Sequence, residues 1–338
     1  MRGDKDIIDA CKDFVLLRMT YMRGVNIGLF EYDYDMTWMA FFLDADGRII
    51  SRYGTRDHTS SDSHNTSGGL RNTMSEVLAV HKEESAKPQK PYVMPKLQPI
   101  DIPAYARTYG ANNCGRCHML NEAKWEQQRA DGTMKDGPFF MYPLPETIGI
   151  KLDLTKGNKI KEVRPNTFAE NAGLRANDLI RTANGMRILT TADMQYVLDK
   201  IDSPGELNLE IVRKDKTIKK VIELTGNWRA SDVSWRKSIR MRSNFNPFTR
   251  NIFMLKPNEK DDLGIEREQI AFRLNDAIGD VQAAGLKKGD IIVALDGKRQ
   301  LFYRNPQYYP FIEHKSDDMM AVTVLREGKE LTLSLRVP

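Results

Sequence analysis

Cysteine is scarce in this chain: three residues in 338, an odd number, so no disulfide framework organises the fold. No apolar run is long enough to cross a bilayer, so no integral membrane segment is expected. The net charge of +5 is not gathered into one block. The basic stretches Lys156 to Lys161 and Lys214 to Lys220 lie among β-like segments, and without a basic stripe no nucleic-acid partner is expected. There is no glycine-rich nucleotide loop and no substrate-shaped catalytic constellation; Asp33-Tyr34-Asp35 reads as a solvated loop rather than an acid/base pair. The opening MRGDKDIIDACKDFV has no apolar signal-peptide core and no cleavage site, so either the protein is cytoplasmic or its front has been lost.

Two of the three cysteines sit three residues apart in NNCGRCHM, followed at once by a histidine. A thioredoxin-type dithiol needs a strand before the pair and a helix N-terminus at it, to stabilise the thiolate. Here a proline-rich stretch and a polar Tyr-Gly-Ala-Asn-Asn precede it. A zinc site needs a second ligand pair, and Cys11, His58, His64 and His81 have no matching spacing. Cys-x-x-Cys-His is also the attachment signature of c-type haem. In that reading Cys114 and Cys117 form thioethers to one haem c, and His118 is the axial ligand of its iron. Met141 and Met134 are candidate sixth ligands, and Trp125, Phe139, Phe140 and Tyr142 candidate shields for the ring. A free dithiol is the alternative.

The length suggests two or three domains, and the pattern is α+β and multidomain. Residues 1–84 form the first block. Its apolar runs Phe14–Met19 and Trp38–Leu43 are expected as buried strands, Asp44-Ala45-Asp46-Gly47 as a hairpin turn, Arg48–Tyr53 as the return strand, and 69–81 as a helix. Residues 85–143 combine a linker, kept extended by Pro88, Pro91, Pro95, Pro99 and Pro103, with a short helical CxxCH segment of about 119–130.

The remainder is an internal repeat. AGLRANDLIRTANG begins at Ala172 and AGLKKGDIIVALDG at Ala284; Gly173 matches Gly285, Asp178 matches Asp290 and Gly185 matches Gly297 at one constant offset. Each copy ends in a strand hairpin, LEIVRKDKTIKKVIEL and VTVLREGKELTLSL. The pattern resembles PDZ domains of the bacterial HtrA type over 144–228 and 251–338, with 229–250 as a connector. The resemblance implies that an extended or C-terminal peptide adds to a sheet edge, its carboxylate captured by the backbone of Thr147, Ile148, Gly149 and Ile150. The second copy lacks the glycine near Asn251-Ile252-Phe253. Bacterial PDZ pairs often follow a serine protease, but Asn65-Thr66-Ser67-Gly68-Gly69 is expected to open a helix and not to carry a nucleophile.

The order of the first block is similar to the C-terminal two-thirds of a thioredoxin fold, without the proline that precedes its third strand, since Met36-Thr37 stand there. Cys11 is expected as a packed thiol. With CxxCH and the YPLPE segment, the chain resembles bacterial thioredoxin-like/PDZ proteins, some of them selenoproteins. That resemblance implies a redox pair upstream of Met1, missing because a selenocysteine codon was read as a stop. The expected function is an extracytoplasmic, periplasmic redox or electron-transfer protein that meets a redox partner protein and docks a peptide. The alternatives are a non-catalytic PDZ adaptor without haem and a thiol-disulfide protein.

Overall fold

In the computed structural model of the chain, the described residues are 4–87, 92–110, 115–132, 140–232, 235–240, 248, 252–301, 309–314 and 317–337. The chain forms two units: one takes residues 1–135 and 140–231, the other 136–139 and 232–338.

The first unit opens with α1 (Lys5–Ala10), where the Asp4 carboxylate accepts the N–H groups of Asp6 and Ile7. The hairpin forms, with β1 (Ala40–Leu43) antiparallel to β2 (Ile49–Tyr53), but β1 is shorter than the expected 38–43 and buries only Phe42, so it is not the buried strand expected there. Gly47 adopts φ +86°, and Asp44 accepts the N–H groups of Asp46 and Arg48. Helix α2 (Ser67–Ser85) buries Met74, Val77 and Val80 against Phe42 and Tyr53. Cys11 is half-buried against the same cluster.

The strand expected at 14–19 does not form. The backbone there is outside any ladder, and Val15 and Leu17 are 93% and 91% exposed. An apolar run becomes a strand only where a neighbour satisfies its N–H and C=O groups, and no described strand lies beside this one.

The proline-rich stretch also departs from expectation past Gln98. Pro99 opens a single 3-10 turn, Pro99–Asp101, and Pro103 opens α3 (Pro103–Tyr109). Both prolines occupy a first helical position, where the missing N–H has no partner to lose. Helix α4 (Cys117–Ala130) packs on α3, and Tyr105, Leu120 and Ala123 share a core with Met22, Val25, Ile27 and Tyr34. The CxxCH helix is therefore folded onto the 22–36 stretch. That packing overturns the solvated reading of Asp33-Tyr34-Asp35: all three are buried, and the Asn121 amide donates to Asp33 at 3.4 Å and Asp35 at 2.9 Å.

The first repeat copy completes this unit. A 3-10 turn, Pro145–Ile148, leads into β3 (Ile150–Leu152), which pairs antiparallel with β4 (Ile160–Val163). Then come α5 (Phe168–Asn171), β5 (Leu179–Ala183), β6 (Met186–Arg187), α6 (Thr191–Asp199), β7 (Gly205–Arg213) and β8 (Lys216–Leu224). The sheet order is β6-β5-β7-β8. Its core joins Ile148, Ile150, Leu152 and Ile160 to Ile180, Met194, Leu198 and Ile211.

In the second unit α7 (Lys237–Arg240) precedes β9 (Ile252–Met254), α8 (Pro257–Asp262), β10 (Phe272–Leu274), α9 (Asp280–Ala283), β11 (Ile291–Leu295), α10 (Tyr309–Glu313), β12 (Met319–Arg326) and β13 (Lys329–Arg336). The order follows the first copy, with α8 inserted after the first strand and no counterpart of β6 among the described strands. Here the strands make one five-stranded sheet, β13-β12-β11-β10-β9, with β9 at the edge.

Candidate functional site

The segment Thr147-Ile148-Gly149-Ile150 forms a tight turn that feeds an edge strand. Gly149 closes the 3-10 turn in the left-handed region, φ +91°, and its N–H returns to the Glu146 carbonyl at 3.2 Å. A Cβ there would fall 2.1 Å from the Thr167 hydroxyl, so both backbone angle and space require glycine. Ile148 and Ile150 anchor the turn in the core, while the Thr147 hydroxyl donates to Leu144 O at 2.8 Å.

The direction of the β3 backbone follows from its ladder. Arg164 N–H donates to Gly149 O and Asp153 N–H to Lys159 O, so odd-numbered residues face β4. Ile150, Leu152 and Leu154 therefore turn their N–H and C=O groups to the opposite side. That open edge, together with α6, outlines a groove of the kind that takes up an extended peptide.

Helix α6 does not look like an open groove wall. Thr191, Ala192, Asp193, Met194, Gln195, Val197 and Leu198 are all buried. Thr190 N-caps the helix and its hydroxyl donates to Arg52 O. Asp193 accepts the Ser51 hydroxyl at 2.7 Å, Arg52 N–H at 2.9 Å and Leu189 N–H at 3.2 Å. Burial pushes the Asp193 carboxyl above the usual carboxylate range, more than the Arg52 charge and these hydrogen bonds pull it down. The Arg52 guanidinium stacks 3.7 Å from the Tyr196 ring centre. Glu31 accepts from both Tyr196 and Lys200. On the other flank Gln195 donates to Tyr142 O at 2.7 Å, and Tyr142 N–H donates to Asp199 at 2.8 Å.

Each copy also carries an ion pair between a buried aspartate and a half-buried arginine that the repeat alignment alone does not reveal. Arg213 donates to both oxygens of Asp178 and to Gly173 O; Arg326 does the same to Asp290 and Gly285 O. Each aspartate also accepts an N–H from the turn before it, Arg175 or Lys287. The signal was present in the sequence, since both hairpins place an arginine at the end of their first strand, but the two are out of step with the offset of the glycines by one residue.

In the CxxCH segment Cys114 and Met134 lie outside the described residues, as does Phe139. Cys117 and His118 occupy the first turn of α4. The Cys117 sulfur lies at the edge of the core cluster and accepts the Tyr32 hydroxyl at 3.5 Å. Burial, and then Cys117, pushes the Tyr32 phenol above its ordinary value. His118 is buried, with Nδ1 3.2 Å from Glu122, whose other oxygen accepts the Tyr109 hydroxyl at 2.8 Å. Trp125 and Phe140 are buried, Tyr142 is buried and bonded to Asp199 and Gln195 of α6, and Met141 is half-buried beside it. Among the described residues no group of three or more His, Cys, Asp or Glu side chains is arranged to hold a metal ion. The serine at the start of α2 is a helix residue as expected: Thr66 caps the helix by accepting Gly69 N–H.

Residues 159–213 match the family model of the PDZ domain. A probable periplasmic serine endoprotease DegP-like of Marinomonas sp. (strain MWYL1) is 28% identical over 158 residues, 46% of this chain and 32% of that protein. Serine protease Do-like HtrB of Bacillus subtilis (strain 168) is 37% identical over 73 residues, 21% of this chain and 16% of that protein. A solved HtrA3 PDZ domain bound to a phage-derived ligand (FGRWV) is 24% identical, covering 22% of this chain and 81% of that one with a TM-score of 0.20. The chain thus carries a PDZ domain, and it spans about a third or less of the length of the curated relatives it matches. No helix among the described residues is long and apolar enough to cross a membrane.

Proposed function

We propose that this protein is an extracytoplasmic peptide-docking scaffold, with no chemistry of its own at the docking site. The observation that carries the reading is the Thr147–Ile150 turn, with Gly149 in the left-handed region, running straight into β3, which pairs with the first strand of the PDZ-matched residues 159–213. The docked partner is a protein with an extended or C-terminal apolar segment, its carboxylate held by backbone N–H groups of that turn. The address rests on the similarity to a protein described as periplasmic. The hairpin β1–β2 followed by α2 fits the later part of a thioredoxin-like domain, here serving as support. The test is an array of heptapeptides, each with a free or an amidated C-terminus, probed with the full chain from micromolar to millimolar concentration. Free-carboxylate peptides ending in an apolar residue are expected to bind about tenfold tighter than their amides, since a charge-assisted contact is lost. Equal binding of both forms would remove the docking function.

A second reading is favoured by one observation, the orientation of His118. A carboxylate on Nδ1 is how an imidazole is held for a metal at its other nitrogen. The donor set suits a covalent haem c, with Cys114 and Cys117 as thioethers and His118 as iron ligand, and the group would supply one-electron transfer to a redox partner. Glu122 would hold the imidazole, and Tyr32 would have to release the Cys117 sulfur. Expression alongside a cytochrome c maturation system tests it: a haem mass increment with a sharp reduced α-band is expected, and colourless protein of unmodified mass ends the reading.

A further inference from the structure

We infer that the first PDZ groove is closed at one end by this chain's own front block, so that peptide docking there requires the block to lift. The inference rests on the peptide-docking reading. A peptide held by its carboxylate at Gly149 runs antiparallel to β3, so its upstream residues pass Leu152 and Leu154 towards the start of α6. That exit is where the front block sits. The Thr66 hydroxyl donates to Leu154 O at 3.4 Å, taking the carbonyl of the third outward-facing residue of the edge. Gly69 approaches so closely that a Cβ on it would lie 2.3 Å from Leu154 O. A Cβ on Gly68 would stand 3.8 Å from the Thr155 hydroxyl. Across the gap, Ser51 and Arg52 are bonded to Asp193 and Thr190 at the first turn of α6. At the turn itself His64 Nε2 lies 3.3 Å from Glu146.

What remains between the two sides is a space of about 10 Å³, lined by Tyr53, Thr55, His64, Asp153, Thr155 and Thr191. That is room for one water and not for a residue. The core confirms that the contact is built rather than incidental: Leu189, just ahead of α6, is buried in the cluster formed by the hairpin and α2. The front block therefore acts as a cover fastened at its rim by hydrogen bonds to Leu154 O and to the Asp193 carboxyl, with the Arg52 guanidinium 3.8 Å from that carboxyl, and by apolar packing behind them.

The test uses the full chain and a variant, Ser51→Ala with Thr66→Ala, which removes two rim hydrogen bonds and the N-cap of α2 without stranding a charge. Amide exchange of Ile150, Leu152 and α6 is followed with and without a fluorescein-labelled heptapeptide chosen from the array. Phe253→Glu is present in both proteins to block the exposed edge of the second copy. The cover predicts protected α6 amides in the parent, with a peptide-dependent change at Ile150 and Leu152 only towards millimolar peptide. In the rim variant it predicts faster exchange and peptide uptake at β3 about tenfold tighter or more, because apparent affinity scales with the open fraction. Equal uptake at β3 by parent and variant would overturn the cover. Should the variant open to exchange and still take no peptide, the cover stands and the docking reading of the first copy falls.

Discussion

In the first copy the strand after the Glu146–Gly149 turn ends beneath Thr66 and Gly69, and its neighbouring helix is buried on nearly every side. In the second copy the equivalent strand, β9, is a sheet edge on which Phe253 and Met254 are 56% and 58% exposed. The internal scaffolding of the two is the same, down to an arginine that clamps an aspartate and a glycine carbonyl. One sequence pattern thus builds two frames whose binding edges differ because of what the chain lays against them. The copy whose turn carries the glycine has the covered edge. The copy without the glycine has the open one.

The deepest test of that shared frame is to break it in both places. Asp178→Ala and Asp290→Ala each leave an arginine-side hydrogen-bond set and a turn N–H without an acceptor. Each is expected to cost its own unit about 2–3 kcal/mol, the worth of hydrogen bonds to a charged group. Urea unfolding followed by probes in each unit would show two losses of similar size. A loss confined to one copy would show that the frames are alike in outline only. A smaller effect distinguishes the edges: Thr66→Ala removes an N-cap and is expected to cost about 1 kcal/mol. It should loosen the first unit alone and leave the second unchanged in the same measurement.

Much of the frame was legible in sequence because PDZ-type strands and turns are local. The hairpin at Asp44–Gly47, the repeat turns at Asn184-Gly185 and Asp296-Gly297, and the long β7–β8 and β12–β13 ladders are written in short-range patterns. Asn184 and Asp296 both sit at φ 45°, as such turns require. What escaped was long-range. The run at 14–19 has the composition of a strand but no described partner. Asp33 and Asp35 look solvated until α4 brings Asn121 onto them. The cover on β3 is carried by Ser51, Thr66 and Gly69, small residues with no motif, whose meaning comes only from lying against Asp193 and Leu154. For the same reason a loop glycine at 149 marks a left-handed turn but not what the chain lays against the strand that follows it.

The finest contrast between the two copies is their response to acid, and the signs are opposite. In the second copy burial pushes Asp290 up, but the Arg326 hydrogen bonds, the Lys287 N–H and the Arg326 charge outweigh it and hold the carboxyl below its usual range. A carboxyl lowered on folding binds fewer protons in the folded state. Its contribution is present above the unfolded value and is lost as pH falls through the depressed one. In the first copy Asp193 is raised by burial, so the folded state binds the proton more readily than the unfolded chain. Its contribution is fully present below the unfolded carboxylate value and is lost as pH rises through the raised one. Acidification should therefore tighten the contact between α6 and the front block while it weakens the second copy. Asn substitutions isolate each term: Asp193→Asn should flatten the pH dependence of the first unit in one direction, and Asp290→Asn that of the second in the other. Both replacements also lose an acceptor, so the quantity to compare is the slope of stability against pH, not its level. Slopes of the same sign would mean that the Arg52 charge and the hydrogen bonds to Asp193 outweigh its burial.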